Sequence, residues 1–168
     1  MFRARRPGLT VPFQMSTRGR YGVRLMVALS LSYGSGSSLL KDIARREEIS
    51  EKYLGQIVIP LKTAGLVVAQ RGSHGGYSLA RPPEDITVRD VVEAIEGRIA
   101  IAPCAGEAAS DPQCIESPSA CERATLCAVT RVWRRLQEDI EGSLASFTLA
   151  ELARQARELE GGAPNYVI

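Results

Sequence analysis

Four cysteines are the residues of this 168-residue chain whose type and spacing most clearly allow chemistry. They fall within one stretch of 24 residues, at Cys104, Cys114, Cys121 and Cys127. No apolar run follows the basic start of the chain to direct export, so such a cluster indicates a metal or redox site rather than disulfides. Thiolates bind iron–sulfur clusters and tetrahedral zinc, and reduced thiols serve as redox switches. The residues alone leave these three uses open.

A second group of residues has the chemistry of DNA recognition. The stretch from Ile49 to Leu79 reads as a short helix followed by two short strands with a Gly-rich tip, which is typical of a winged helix–turn–helix. Lysine and glutamine can pair with base edges, tyrosine more often contacts phosphate, and an arginine at the tip can enter the minor groove. The predicted DNA-contacting residues are Arg18, Arg20, Tyr21, Ser50, Lys52, Tyr53, Gln56, Arg71 and His74.

The charge distribution supports a polyanionic partner for the first half of the chain. Residues 1–83 hold 13 Lys and Arg against 4 Asp and Glu, a net charge of +9. Residues 84–168 hold 8 Lys and Arg against 15 Asp and Glu, a net charge of −7. Such asymmetry indicates that the first half meets double-stranded DNA while the second half has another task.

The helices that must position the DNA-contacting residues follow from apolar spacing. A helix starting at Ser16 or Thr17 and ending by Gly34 carries two apolar stripes, so a second element must cover one of them. A second helix ends near Glu48. Ser50 caps a third helix with Leu54, Ile57, Val58 and Leu61 inward. Pro60 lies inside this third helix, where it should kink or shorten it.

The remaining chain predicts a sensor loop and a dimer helix. Thr87 caps a helix that ends at Gly97, after which residues 98–123 form a long cysteine-bearing loop. A helix over 124–147 carries an apolar stripe beside Trp133, and this stripe predicts a homodimer. Packing on its own domain is the alternative. A short C-terminal helix and tail follow over 148–168, with Thr148 and Glu151 at capping-box spacing.

Bulk properties limit the class of protein. Residues 1–14 are interrupted by prolines and predict a disordered extension, or a start assigned upstream of Met15. No stretch reaches the roughly 20 apolar residues of a membrane span, so we expect a cytoplasmic protein without membrane contact. An enzyme is not expected, because the single histidine lies on a turn and no phosphate loop or nucleophile–base pair is visible.

Four motifs in order carry a family resemblance. They are STRGRYGVRLM, YLGQIVIPLKTAGLV, RGSHGGYSLARPPEDITVRDVVEAIEG and CERATLCAVTRVW, and together they cover residues 15 to about 150. In this order they resemble the Rrf2 family of bacterial transcription regulators. The resemblance implies a homodimeric winged-helix DNA-binding protein, and in several members a cysteine-ligated iron–sulfur cluster controls DNA affinity. Gly55 stands where a glutamate is common in relatives, so base preference is expected to differ.

The resemblance also implies roles for the cysteines. Cys121 and Cys127 match the last two ligands of the family, while both Cys104 and Cys114 are candidates for the first. The family's fourth ligand is a histidine or an acidic residue, and the matching positions here are Thr130 and about Arg20. Either all four cysteines hold one cluster, of the 2Fe–2S or 4Fe–4S type, or three hold it with an open site.

The expected fold is mainly α, with a small β-hairpin wing: a winged helix–turn–helix domain over 15–97 plus a long dimerisation helix. The expected function is DNA-binding transcriptional regulation, controlled by an iron–sulfur cluster that senses iron, oxygen or redox state, or nitric oxide. The alternative is a cluster-free regulator or interaction module that responds to a small effector, to thiol redox state or to a partner protein, as one cysteine-responsive relative does.

Overall fold

Six α-helices and one β-hairpin make up the part of the chain that the computed structural model describes, residues 15–70, 75–102 and 126–161. The predicted extension, the hairpin tip with Arg71 and His74, and Cys104, Cys114 and Cys121 lie outside these residues. The mainly helical fold with a two-stranded hairpin is as predicted. In order the elements are α1 (Thr17–Leu31), α2 (Leu40–Glu47), α3 (Glu51–Thr63), β1 (Val67–Gln70), β2 (Gly76–Leu79), a 3-10 helix (Pro83–Asp85), α4 (Val88–Glu96), α5 (Thr130–Ala145) and α6 (Leu149–Gly161).

Side-chain caps begin four of the helices. Ser16 Oγ accepts the Gly19 N–H at 3.1 Å, and Ser50 Oγ accepts the Tyr53 N–H at 3.2 Å. Thr87 forms a reciprocal capping box with Asp90. The Thr148 hydroxyl accepts the Glu151 N–H at 3.2 Å. Each cap satisfies an N–H that the first turn of a helix leaves without a partner, so these helix starts were readable from the sequence.

Helix α1 is the element around which the domain packs. It contacts α3, α4 and α6, and its residues Leu25, Met26 and Leu29 are buried in the core. It ends at Leu31, one turn before the expected Gly34. There the Ser32 N–H donates to the Leu29 and Ser30 carbonyls instead of continuing the helical pattern. The second apolar stripe of α1 had no assigned cover in the sequence. The chain's own α6 supplies part of that cover, and Val23 and Val27 are half-buried against the core.

The C-terminal helix belongs to the same core as the DNA-binding helices. Leu149 is 0% exposed, and its carbonyl accepts the buried Ser30 hydroxyl at 3.3 Å. Two backbone bonds of 2.9 Å, from Val88 N–H to Phe147 O and from Leu149 N–H to Ile86 O, fix the α5–α6 junction beside the start of α4. The sequence-based prediction placed the DNA-binding domain at 15–97, and it did not include the packing of the C-terminal helix against that domain.

The hairpin is anchored to the helix–turn–helix at its base. Strands β1 and β2 pair antiparallel, from Val67 with Leu79 to Gln70 with Gly76. Ser38, which precedes α2, adds a bridge to Tyr77, and both of its backbone hydrogen bonds are 2.9 Å long. The wing is therefore held at a fixed position relative to α2.

The long helix of the second half starts later than expected. Residues 126–129 form turns, and α5 begins at Thr130, whose N–H reaches the Cys127 carbonyl at 3.2 Å. The 16 residues of α5 span about 24 Å at 1.5 Å per residue.

Two glycines inside helices give a matched test of the packing. A Cβ at Gly22 would lie 2.0 Å from Ile95 Cδ1, whereas a Cβ at Gly55 would meet nothing within 4 Å. We expect Gly55→Ala to raise the free energy of unfolding by about 0.5–1 kcal/mol, because alanine favours a helix over glycine. Gly22→Ala gains the same helix propensity, but it also overpacks the core. Its free energy of unfolding is therefore expected to be about 1–3 kcal/mol lower than that of Gly55→Ala. Urea unfolding of both variants measures this difference, and equal stabilities would show that α1 and α4 are not in close contact.

Candidate DNA interface and cysteine segment

Helix α3 presents one apolar face inward and one polar face outward. Leu54, Ile57, Val58 and Leu61 are buried, as the spacing predicted. Lys52 and Gln56 are exposed. Ser50, predicted to contact DNA, uses its oxygen as the helix cap and keeps its hydroxyl proton free to donate. The side chains predicted to contact base edges are thus on the solvent-facing side of α3.

Pro60 does not end α3, and the structure accounts for its tolerance. A proline has no N–H, so the carbonyl four residues earlier, that of Gln56, loses its helix donor. Arg18 Nη2 donates to this Gln56 oxygen across a long contact of 3.5 Å. The Arg18 guanidinium is therefore held beside α3 at the residue predicted to contact bases.

A packed group of side chains fixes the start of α3 against α1. Tyr21 and Tyr53 meet edge to face, with ring centroids 5.9 Å apart and an interplanar angle of 88°. The Arg24 guanidinium lies 5.6 Å from the centroid of the Tyr21 ring. Both tyrosines are half-buried, so each has only part of its surface free for a phosphate.

Arg24 also closes the end of α2. Its Nε donates to Glu47 Oε2 at 3.0 Å, and its Nη2 donates to the Glu47 carbonyl at 2.6 Å. Arg18, Arg20 and Arg24 are all basic residues in the first half of α1. The geometry gives Arg24 an acidic partner, whereas Arg20 donates only to the nearby Thr17 hydroxyl, at 3.1 Å. In the sequence, only the position of Arg24 three residues after Tyr21, on the same face of the helix, indicated that it packs against that ring.

Cys127 is the cysteine whose surroundings the structure describes. It is exposed, and the nearby backbone N–H groups of Val129 and Thr130 lower the pKa of its thiol. The Thr130 hydroxyl adds a smaller effect in the same direction, although it is buried and makes no hydrogen bond of ordinary geometry. A lowered pKa favours the thiolate, which is the form that binds metal and reacts with oxidants.

Two of the other candidate ligand positions, Arg20 and Thr130, lie within the described ranges. Among residues 15–70, 75–102 and 126–161, no three His, Cys, Asp or Glu side chains come together as a metal site. Cys104, Cys114 and Cys121 are not in those ranges, and neither are Arg71 and His74. Arg20 lies at the start of α1, and Thr130 is 3% exposed at the start of α5.

Comparison with known proteins identifies the family. The model of the Rrf2 family, described as an iron-dependent transcriptional regulator, matches residues 15–155. The chain belongs to the Rrf2 family. It is therefore a DNA-binding transcriptional regulator, as the sequence predicted. None of the helices in the described ranges is long and apolar enough to cross a membrane.

Two Rrf2 relatives illustrate the range of the family. The transcriptional regulator CymR of Bacillus subtilis is 36% identical over 140 residues, which cover 83% of this chain and 89% of CymR. Its structure, described as that of the global cysteine regulator, superposes with a TM-score of 0.65. The structure of IscR from T. potens is 36% identical and covers 88% of this chain and 91% of that chain, with a TM-score of 0.66.

The partners of Arg24 predict that it positions α3 rather than contacting phosphate. Arg24→Gln should weaken binding to a duplex selected from a random-sequence library about tenfold, because α2 loses a charged hydrogen-bonding partner. The slope of log K against log salt should stay unchanged, since Glu47 already neutralises Arg24. Arg18→Gln is the matched comparison, and its slope should fall by about 0.9 for each phosphate that the variant no longer touches. An equal fall for Arg24→Gln would place Arg24 on the phosphate backbone instead.

Proposed function

We propose that this regulator is a homodimer whose DNA affinity is controlled by an iron–sulfur cluster that reports iron, oxygen or redox state, or nitric oxide. The observation that carries the proposal is the Cys127 thiol, exposed at the start of α5 with a lowered pKa. Cys121, Cys127 and either Cys104 or Cys114 would hold the cluster, with the remaining cysteine as the fourth ligand. When bound, the cluster supplies a centre that changes on oxidation, on nitrosylation or on loss of iron.

The chain's own contacts supply a route from Cys127 to the DNA-binding helices. Arg89 of α4 donates to Glu141 of α5 at 3.0 Å and to Glu93 at 2.7 Å. Gln137 donates to the same Glu141 at 2.9 Å. Helix α4 packs in turn against α1 and α3. A shift of α5 at Cys127 would therefore change the position of α3, provided that the two cluster states favour different arrangements of the helices.

The apolar stripe of α5 supports the homodimer. Thr130 is the buried residue of this helix, whereas Val129 and Val132 are 50% and 58% exposed. Trp133, Leu136, Ile140 and Leu144 are half-buried. The same stripe from a second copy, related by a two-fold axis, would bury these side chains and pair two recognition helices on adjacent half-sites of DNA.

We expect such a regulator to act in the cytoplasm, where it meets the chromosome, and to catalyse no reaction.

A cluster-free regulator is the second candidate, and two observations favour it. CymR, similar over most of the chain, is described as a cysteine regulator. An exposed thiol with a lowered pKa is also a reactive thiol, so Cys127 would serve as a redox switch without any metal. In this case the signal is a small effector, thiol oxidation or a partner protein.

Anaerobic purification separates the two candidates. A cluster predicts brown protein with iron and acid-labile sulfide, whose visible absorption fades in air or with nitric oxide while its DNA affinity changes. Cys127→Ala should abolish the colour, and comparison of Cys104→Ala with Cys114→Ala identifies the first ligand. Colourless protein, or protein with stoichiometric zinc, that still binds DNA would reject the cluster and favour the second candidate.

The dimer is tested by placing a carboxylate on the α5 stripe. Val132→Glu should raise the dimer dissociation constant at least about 100-fold, because the two-fold axis would bury two unpaired carboxylates. Arg131→Glu is the control, since Arg131 is exposed and lies outside the apolar stripe of α5. Sedimentation should show the control near twice 18.2 kDa and Val132→Glu near 18.2 kDa. A dimeric Val132→Glu protein would place the interface elsewhere.

A further inference from the structure

The outward face of α3 becomes apolar toward its C-terminal end. Ile59 is 63% exposed, although it is a large aliphatic residue. It lies seven residues after Lys52 and three after Gln56, so the three side chains share one face of the helix. Ile59 therefore leaves an apolar group on an otherwise polar face of α3.

The neighbours of Ile59 extend this apolar end. The Thr63 hydroxyl donates to the Ile59 carbonyl at 3.2 Å. Its proton is therefore not available to a base, and its methyl group remains as an apolar contact surface. Gly55 has no side chain, and a Cβ there would meet nothing within 4 Å. The face therefore has a polar first half with Lys52 and Gln56, a gap at Gly55, and an aliphatic second half.

The DNA major groove offers one apolar group to such a surface. Each base pair presents hydrogen-bond donors and acceptors there, and thymine alone adds a C5-methyl group. Lys52 and Gln56 can pair with donors and acceptors, whereas Ile59 and the Thr63 methyl cannot. At 1.5 Å per residue, Ile59 lies about 4–5 Å beyond Gln56 along α3, which is within one or two base pairs.

We propose that Ile59 is a specificity-determining residue that recognises thymine through its C5-methyl group, with Thr63 extending the contact and the gap at Gly55 admitting the helix closer to the groove. The proposal rests on the outward face of α3 being the DNA-reading surface. Single exposed apolar residues are common on proteins and usually have no role. Ile59 differs because it continues the polar face of a recognition helix.

Removal of single methyl groups from DNA tests this inference directly. A duplex is selected by the wild-type protein from a random-sequence library, and each thymine is then replaced singly by uracil, which removes only the methyl. Burying one such group is worth about a fourfold change in affinity, so one or two uracil positions per half-site should weaken binding about fourfold. Ile59→Ala should bind the uracil and thymine duplexes equally well at those positions. Ile59→Val should keep part of the preference.

Two controls separate methyl recognition from general binding. Lys52→Ala should weaken binding to both duplexes and leave the preference for thymine unchanged. Thermal unfolding of Ile59→Ala should match that of the wild type, because the side chain is exposed. An undiminished uracil effect in Ile59→Ala, or no uracil effect at any position of a bound duplex, overturns the inference while DNA binding stands. Failure to select any duplex would instead overturn the DNA-reading role of α3, and the inference with it.

Discussion

The close contact of α1 with α4 at Gly22 is the constraint on which the rest of the domain depends. With hydrogen in place of a side chain, Gly22 lets Ile95 of α4 and Ile57 of α3 meet over the surface of α1. One position therefore sets the separation of three helices, and the outward face of α3 is fixed by the inward packing of Ile57. Because close-packed cores resist small changes in volume, this contact gives the DNA-reading face a defined position.

The basic residues around α3 divide into those that hold the helix and those that face solvent. Arg24 is engaged by Glu47 and by the Tyr21 ring, so it contributes structure at the junction of α1, α2 and α3. Arg18 belongs to both groups, since it reaches the carbonyl that Pro60 leaves unpaired and is itself exposed. Lys52 is exposed on the outward face, which leaves its charge available to DNA. Net charge alone overstates how many of these residues contact phosphate, because a cation already paired with a carboxylate neutralises no phosphate and so displaces no counterion from the DNA.

The two sides of helix α5 differ in character. On the side facing α4, Glu141 pairs with Arg89 and accepts a hydrogen bond from Gln137. The aliphatic stripe of α5 is only partly buried by the rest of the chain. In the proposed homodimer, the ion pair to α4 and an apolar contact with a second copy would respond differently to movement, since apolar packing tolerates sliding less than an exposed salt bridge does. In the proposed regulator, α5, which begins three residues after Cys127, would connect a chemical change at the cysteines with the spacing of the two DNA-binding domains.

The sequence by itself determined the four capped helix starts, the buried face of α3, the hairpin and the family, because caps, apolar periodicity and motif order are local properties of the chain. Tertiary structure decided the remainder. The return of α6 to the core, the tolerance of Pro60 through Arg18 and the pairing of Arg24 with Glu47 all join residues distant in sequence. The helical spacing left Ile59 off the inward face of α3, but only the packing shows how much of its side chain remains exposed. Local patterns specify which elements form, but only their packing decides which side chains remain free to act.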